Sequence, residues 1–302
     1  MPSRGYRLKT KESPIDGARR VARGRTEKAL ERLDGVGDDE LASAIHGARK
    51  DLKKLRALLR LVREELGPEL VKAENRRYRD AARLLSSSRD AQVKLETLIA
   101  LRKAAGDELL AAETALWESE LEAERDEAAA RLGAESAGRI DDARQAIAAG
   151  HEQIAEWPLE REDWKLVGPG LRRSYRNGKQ EMKQVRKEPS AEAVHAWRKR
   201  VKDLWYQLRL IEEAWPAQLK ATAGQAHELA ELLGNHHDLA VLAEDLGSRW
   251  GVSGKASFEA AIERRQDELL ATALALGARL YAERPKALSG RIEAYWLAWR
   301  GR

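Results

Sequence analysis

AIHGARKDLKKLRALLRLV at residues 44–62 and AVHAWRKRVKDLWYQLRLI at residues 193–211 align without a gap, 149 positions apart. His46 matches His195, Arg49 matches Arg198, Lys50 matches Lys199 and Lys53 matches Lys202. Leu55, Leu59, Arg60 and Leu61 match Leu204, Leu208, Arg209 and Leu210. Downstream, LLSSSRDAQV (84–93) aligns with LLGNHHDLAV (232–241) at an offset of 148, pairing Arg89 with His237 and Asp90 with Asp238. Upstream, RRVARGR (19–25) resembles RRSYRNG (172–178) more faintly. Self-similarity in a fixed order marks a duplicated supersecondary unit. Two similar helical bundles related by a pseudo-twofold axis are the natural reading.

The surrounding chain reads as helix. Ala, Leu, Glu, Arg and Lys dominate it, and all are strong helix formers. No run of β-branched residues alternates with period two, so a sheet is not expected. Gly and Pro punctuate the first half into helices at about 15–34, 39–66, 68–105 with a weak point at Ser86–Ser88, 107–133 ending at Gly133, and 136–157. The second half reads as 168–187, a helix with Ser190 as its N-cap, 217–248 with an interruption at Gly234, one after Gly254 and a last one after Pro285. The expected organisation is a tail at 1–13, a first repeat at about 14–157 and a second at about 158–302.

The composition narrows the chemistry. The 302 residues include no Cys, which excludes a disulfide scaffold, a Cys-ligated zinc site, an iron–sulfur cluster and thiol catalysis. No stretch approaches the roughly 20 apolar residues of a membrane span. MPSRGYRLKTKESP at the N-terminus is basic but has no apolar core, so it does not read as a secretory signal, and the expected location is the cytoplasm. Lys and Arg number 55 against 50 Asp and Glu, a net charge of +5 that hides segregation. Residues 44–63 carry Arg49, Lys50, Lys53, Lys54, Arg56, Arg60 and Arg63 against Asp51 alone. Residues 107–142 reverse the sign, with Asp107, Glu108, Glu113, Glu118, Glu120, Glu122, Glu124, Asp126 and Glu127. They read as a solvated outer face or a counter-charge. Sorted charge makes a strong local field, so the partner to expect is a polyanion.

At 100° per residue, His46, Arg49, Lys50, Lys53, Arg56 and Arg60 fall on one side of their helix, opposite Ile45, Ala48, Leu52, Leu55, Leu59 and Val62. In the second copy, His195, Arg198, Lys199, Lys202, Tyr206 and Arg209 oppose Val194, Trp197, Val201, Leu204, Leu208 and Ile211. Like charges spaced i,i+4 repel by a few tenths of a kcal/mol per pair. Arg49–Lys53 and Arg56–Arg60 do so, as does Arg198–Lys202, and His46–Lys50 and His195–Lys199 do so when the histidine is protonated. A bound polyanion would offset that repulsion. Arg offers forked bonds to phosphate oxygens, Lys compact charge, and His a donor that gains charge beside phosphate. Stacking aromatics are missing from the stripes apart from Tyr206, which argues against reading of single-stranded bases.

The chain resembles the conserved histidine α-helical domain (CHAD) family. The resemblance rests on His46-x-x-Arg49-x-x-x-Lys53-x-Leu55-Arg56, on His195-x-x-Arg198-x-x-x-Lys202-x-Leu204, and on the later Arg89-Asp90 and His237-Asp238 pairs. It implies an all-α fold of two four-helix bundles around a central basic pore or groove. It also implies non-catalytic binding of inorganic polyphosphate without a cofactor. Polyphosphate granules or polyphosphate-metabolising enzymes are the implied associates, with no specific nucleic acid and no membrane. By position, the implied ligand-facing residues are His46, Arg49, Lys50, Lys53 and Arg56 in one half and His195, Arg198, Lys199 and Lys202 in the other. Arg20, Arg23, Arg173 and Arg176 join them from the first helix of each repeat. Arg60 and Arg209 extend the stripes, and Arg89 and His237 complete the set. Trp205-Tyr206 replaces a second basic residue after Leu204, so the halves are expected to contribute unequally.

Two other readings stand beside this one. His195, His237-Asp238 and Asp245 have the residue types of a metal-dependent HD-like phosphohydrolase, in which His and carboxylate bind a metal that activates water. The repeat counts against it, since Arg89 stands where His237 does and Arg cannot ligate a metal. Glu192-x-x-His195 is half of a di-iron motif, but Ser43 takes the place of that Glu in the other copy. Nonspecific nucleic-acid binding is the third reading, since a positive groove attracts any phosphate backbone. No established nucleic-acid-binding motif accompanies it. The E-x-E-x-K strand signature of the triphosphate-tunnel domain found in some relatives is absent, since Glu118-x-Glu120-x-Glu122-x-Glu124 lacks its lysine and lies in a helical segment.

Overall fold

The computed structural model describes residues 5–85, 89–106, 111–249 and 255–301. Among these residues every regular element is a helix. The first half holds α1 (Pro14–Leu33), α2 (Asp38–Leu61), the single turn α3 (Arg63–Leu66), α4 (Pro68–Leu84), α5 (Arg89–Ala105) and α6 (Ala111–Gln153). The second holds α7 (Gly168–Lys187), α8 (Ala191–Leu210), α9 (Pro216–Arg249), α10 (Lys255–Leu280) and α11 (Pro285–Trp299).

The starts follow local chemistry. Ser13 Oγ accepts from the Asp16 amide at 3.0 Å, and Pro14 takes the first helical position, where its missing N–H costs nothing. Ser190 caps α8 in the same way, accepting from Ala193 N at 3.1 Å. Gly67, at φ 77°, separates α3 from α4 in a conformation that favours glycine.

Two expected breaks do not occur. α6 runs unbroken through Gly133 for 43 residues, roughly 65 Å at 1.5 Å per residue. α9 runs through Gly234. An isolated glycine in a helix costs only about 1 kcal/mol, and flanking Ala, Leu and Glu outweigh it. The weak point at Ser86–Ser88 falls between α4 and α5, and those serines lie outside the described residues. So do Asp107 and Glu108 of the acidic run.

In the first half α1, α2, α4 and α6 pack together; in the second α7, α8, α9 and α10 do, with α11 against α7. The halves do not keep separate cores. One apolar cluster runs from Leu52, Leu55 and Leu59 of α2 through Tyr175 of α7 to Trp197, Val201 and Leu208 of α8, all fully buried. Each such side chain contributes about 1.5–3 kcal/mol by leaving water. Gly170 at the start of α7 meets the end of α2, where a Cβ would lie 1.9 Å from the Leu61 carbonyl oxygen. At the contact of α2 with α8, Gln207 Nε2 donates to Ala57 O at 3.2 Å. A second, distal cluster draws Leu95 and Leu98 from α5, Trp117 and Leu121 from α6, Leu242 from α9, and Phe258 and Ile262 from α10.

Residues 5–13, expected to be a tail, pack onto this frame. Leu8 is buried and its amide donates to Leu210 O at 2.8 Å. Tyr6 is buried too, and its hydroxyl donates to Lys54 O at 3.0 Å. Glu12 and the carbonyls of Gly5 and Arg7 accept from Arg20, and Arg7 pairs with Glu212 and Glu213.

Candidate functional site

The apolar stripes of α2 and α8 are buried, and their basic stripes are exposed or half-buried. His46, Lys50, Lys53 and Lys199 are exposed, as are Arg23 of α1 and Arg176 of α7. Arg49, Arg56, Arg60, His195, Arg198, Lys202, Arg209 and His237 are half-buried. Arg89 opens α5, but its side chain lies outside the described residues.

One group of cations forms where α2 faces α8. The Lys50 charge reaches both Lys54 and Lys202. Burial pushes Lys54 down to about 8, against the pull of Asp51, and Arg25, Arg209 and Lys50 push it the same way. Burial also lowers Lys202, with Arg198 and Lys50 adding to the effect against Glu231 and Asp238. Lys202 and Arg209 both lie over the Trp205 ring, at 5.8 and 5.9 Å.

His195 and His237 adjoin this group. Their ring centroids lie 4.3 Å apart, with the planes tilted by 36°. Burial, then His237, Lys199 and Arg198, pushes His195 down to about 4. Burial, Arg198 and Lys199 also lower His237, although Asp238 opposes them. Among the described residues, His195 Nδ1 and Arg198 Nε are buried without a hydrogen-bond partner. Arg198 lies beside Gly234, where a Cβ would stand 3.0 Å from its Nη2. The unexpected glycine inside α9 therefore makes room for this guanidinium.

A second group lies on α2, α4, α7 and α8. Arg56 Nε and Arg60 Nη2 both donate to Asn75 Oδ1, at 2.9 and 3.0 Å. Burial lowers Arg56 to about 10, and Arg60, Arg79 and Arg83 add to that effect against Asp203. Arg60 Nη1 donates to Asp203 Oδ1 at 2.9 Å. Arg173 donates to the Arg60 carbonyl and pairs with Glu64. A cavity of about 340 Å³ opens here, lined by Arg60, Arg63, Lys72, Arg173, Arg200 and Asp203 among others.

One sequence expectation needs correcting, and Arg20 has partners within the chain. Tyr206 does not belong to the open stripe. It is buried, stacked on Trp205 at 4.6 Å and edge-on to Tyr6 at 6.3 Å, because the N-terminal segment covers it. Arg20 is held by the chain's own acceptors, at 2.6 Å to Glu12 Oε1 and 2.7 Å to Arg7 O. Lys72, Arg79, Arg83 and Arg200 join the basic groups unforeseen, as do Lys54 and Arg63, which the sequence placed in the basic segment but not among the ligand-facing residues. Arg79 and Arg83 carried a usable signal in their i,i+4 spacing on α4; the others enter through tertiary packing.

The remaining acids act mainly as counter-charges. Asp238 lies 3.8 Å from Arg198. Asp245 and Glu124 both hold Lys94 at 3.0 Å, and Glu118 pairs with Arg102. Among the described residues, no three His, Asp or Glu side chains come together as metal ligands. Nor is any described helix long and apolar enough to cross a membrane.

Comparisons with known proteins agree with this architecture. The structure is similar to PptA from Streptomyces chartreusis, with a TM-score of 0.60 and 14% identity over 90% of this chain and 100% of that one. It is also similar to the CHAD domain from the plant Ricinus communis, with a TM-score of 0.59 and 19% identity over 92% of this chain and 95% of that one. A search of curated proteins finds no match. The CHAD domain family matches residues 20–247, and the chain belongs to that family.

Proposed function

We propose that this protein binds inorganic polyphosphate, without catalysis, on the basic surface that α2 and α8 form together. The observation that carries the reading is the crowding of Lys50, Lys54, Lys202 and Arg209: burial, then Arg25, Arg209 and Lys50, hold Lys54 down at about 8 against Asp51, and burial with Arg198 and Lys50 lowers Lys202. Cations crowded at close range with fewer counter-charges favour a ligand with closely spaced negative charge. A polyphosphate chain offers such charge and needs no metal to bind. Family membership supports the same reading. The environment of the histidine pair also fits binding better than hydrolysis. Arg198 and Lys199 face it, while Asp245, the carboxylate a metal site would need, is tied to Lys94. Granule association and contact with polyphosphate-metabolising enzymes would follow from the same surface.

The test is titration calorimetry with long-chain polyphosphate at near-physiological salt, with EDTA present and duplex DNA as the comparison. Binding that survives EDTA and exceeds DNA binding at equal phosphate concentration is the expected result. Binding only with added divalent metal, or none, would defeat the proposal.

A further inference from the structure

The contact of α2 with α8 has two flanks, and the chain treats them differently. On one flank stand Lys54 and Arg209, with Tyr6 of the N-terminal segment against Lys54, Arg25 and Tyr206. Leu8 hydrogen-bonds the end of α8 beside it. The other flank holds Arg60 and Asp203, which the offset of 149 relates to Arg209 and Lys54. There the cavity of about 340 Å³ lies open.

The open cavity is built for an anion of limited length. Five cations, Arg60, Arg63, Lys72, Arg173 and Arg200, line it against two carboxylates, Glu69 and Asp203. Asn75 fixes Arg60 by accepting its Nη2 donor, and the Arg60 carbonyl accepts from Arg173. Arg63 and Lys72 are exposed at its edge. Its volume is at the small end of the roughly 300–1,000 Å³ of small-molecule sites, so it suits a short ligand rather than a long chain in passage. Asp203 is buried in its lining, bonded to Arg60 and 3.7 Å from Arg200 through its other oxygen. A carboxylate there repels a fully ionised internal phosphate. A terminal phosphate differs, because it carries a weakly acidic hydroxyl that titrates near pH ~6 in phosphomonoesters. That hydroxyl can donate to Asp203 while the remaining oxygens meet the cations.

We propose that this cavity binds a terminal di- or triphosphate group, as the end of a polyphosphate chain or as a free short phosphate. It is a site distinct from the cations at Lys50 and Lys202. The inference rests on the polyphosphate reading and adds an end-recognising site to it.

The test measures calorimetric binding of inorganic tripolyphosphate to the full chain and to Arg63→Ala/Lys72→Ala. Both side chains are exposed, so folding should survive, and circular dichroism checks it. The expected result is binding to the parent protein and a loss of about tenfold or more in the variant, since two charge-assisted interactions disappear. Tripolyphosphate affinity within about twofold of the parent overturns the inference, as does a parent that binds long chains but not tripolyphosphate. A parent that binds neither sinks the polyphosphate reading itself. Long-chain polyphosphate with esterified ends separates the two sources. Weaker binding than the free-ended chain assigns the cavity to chain ends, and equal binding with tripolyphosphate binding retained assigns it to free short phosphates.

Discussion

Arg60 of α2 and Asp203 of α8 meet at 2.9 Å, and the same sequence offset turns that ion pair into Arg209 and Lys54, two cations within electrostatic reach. On one flank the two related residues neutralise each other; on the other they repel, and Lys54 turns instead to Asp51 at 3.6 Å. With the offset of 148 carried along α4 and α9, Arg79 and Arg83 correspond to His227 and Glu231. Where the first half gathers Arg56, Arg79 and Arg83, the second sets Trp205 against His227, with ring centroids 4.0 Å apart and planes tilted by 48°.

Lys54→Gln should weaken polyphosphate binding at pH 7 by several-fold and change its alkaline limb. A bound polyanion raises the Lys54 pKa from about 8, so binding takes up a proton above that pH. Affinity of the parent protein should therefore fall as pH rises past about 8. The glutamine variant should lose that part of the decline, which calorimetry across pH 7–10 would show. An unchanged alkaline limb would exclude Lys54 from the surface that senses the ligand.

At acid pH the histidines should act in the opposite range. His195 sits at about 4 in the free protein, and a neighbouring polyanion raises it. Binding then takes up protons, so affinity should rise as pH falls from 7 toward 5. His195→Ala/His237→Ala should flatten that rise. For folding, the His195 pKa is depressed below its ordinary 6.5, so its contribution to stability is complete above that value and is lost as pH falls toward about 4. Denaturant titrations at several pH values would show this in the free protein.

Charge removal should report phosphate neutralisation directly. Arg49→Ala/Lys53→Ala, or Arg198→Ala/Lys202→Ala, should weaken long-chain binding and lower the log–log salt slope by about one for each phosphate that goes unneutralised. Helicity should persist. Unchanged affinity in both double variants would remove α2 and α8 from the site.

Two stability experiments test the frame. Gly170→Ala would place a Cβ 1.9 Å from the Leu61 carbonyl, against backbone that cannot rotate away. α7 would have to move off α2, at a cost of about 3 kcal/mol or more in chemical denaturation. Asp51→Ala would leave buried Arg25 without the carboxylate it meets at 2.8 Å, costing about 3–5 kcal/mol.

Much of this architecture is legible before any coordinate. Pro14, Pro68 and Pro285 open helices, Ser190 caps one, and the duplicated basic segments become α2 and α8. These signals are local, carried by backbone dihedrals and helical periodicity. What escaped was long-range. Tyr6 and Leu8 are isolated apolar residues in a basic stretch, and no periodicity announces that they are buried. The Arg60–Asp203 pair spans 143 residues, and Asp203 interrupts a basic segment without revealing its partner. Gly133 misled because the cost of one helical glycine is small against the propensity of its neighbours.

The distal cluster of α5, α6, α9 and α10 fastens the halves at a second place, beyond the contact of α2 with α8. A single contact would leave an axis to turn on. The shared core of α2, α7 and α8 is an extended face, and with the distal cluster it leaves none, so the halves behave as a beam clamped at both ends. The lysines and arginines on α2 and α8 then keep a set spacing, like marks on a ruler. A flexible anion must adjust to that spacing, so the main-chain entropy lost when the two meet falls on the anion, while the protein gives up only the freedom of its lysine and arginine side chains.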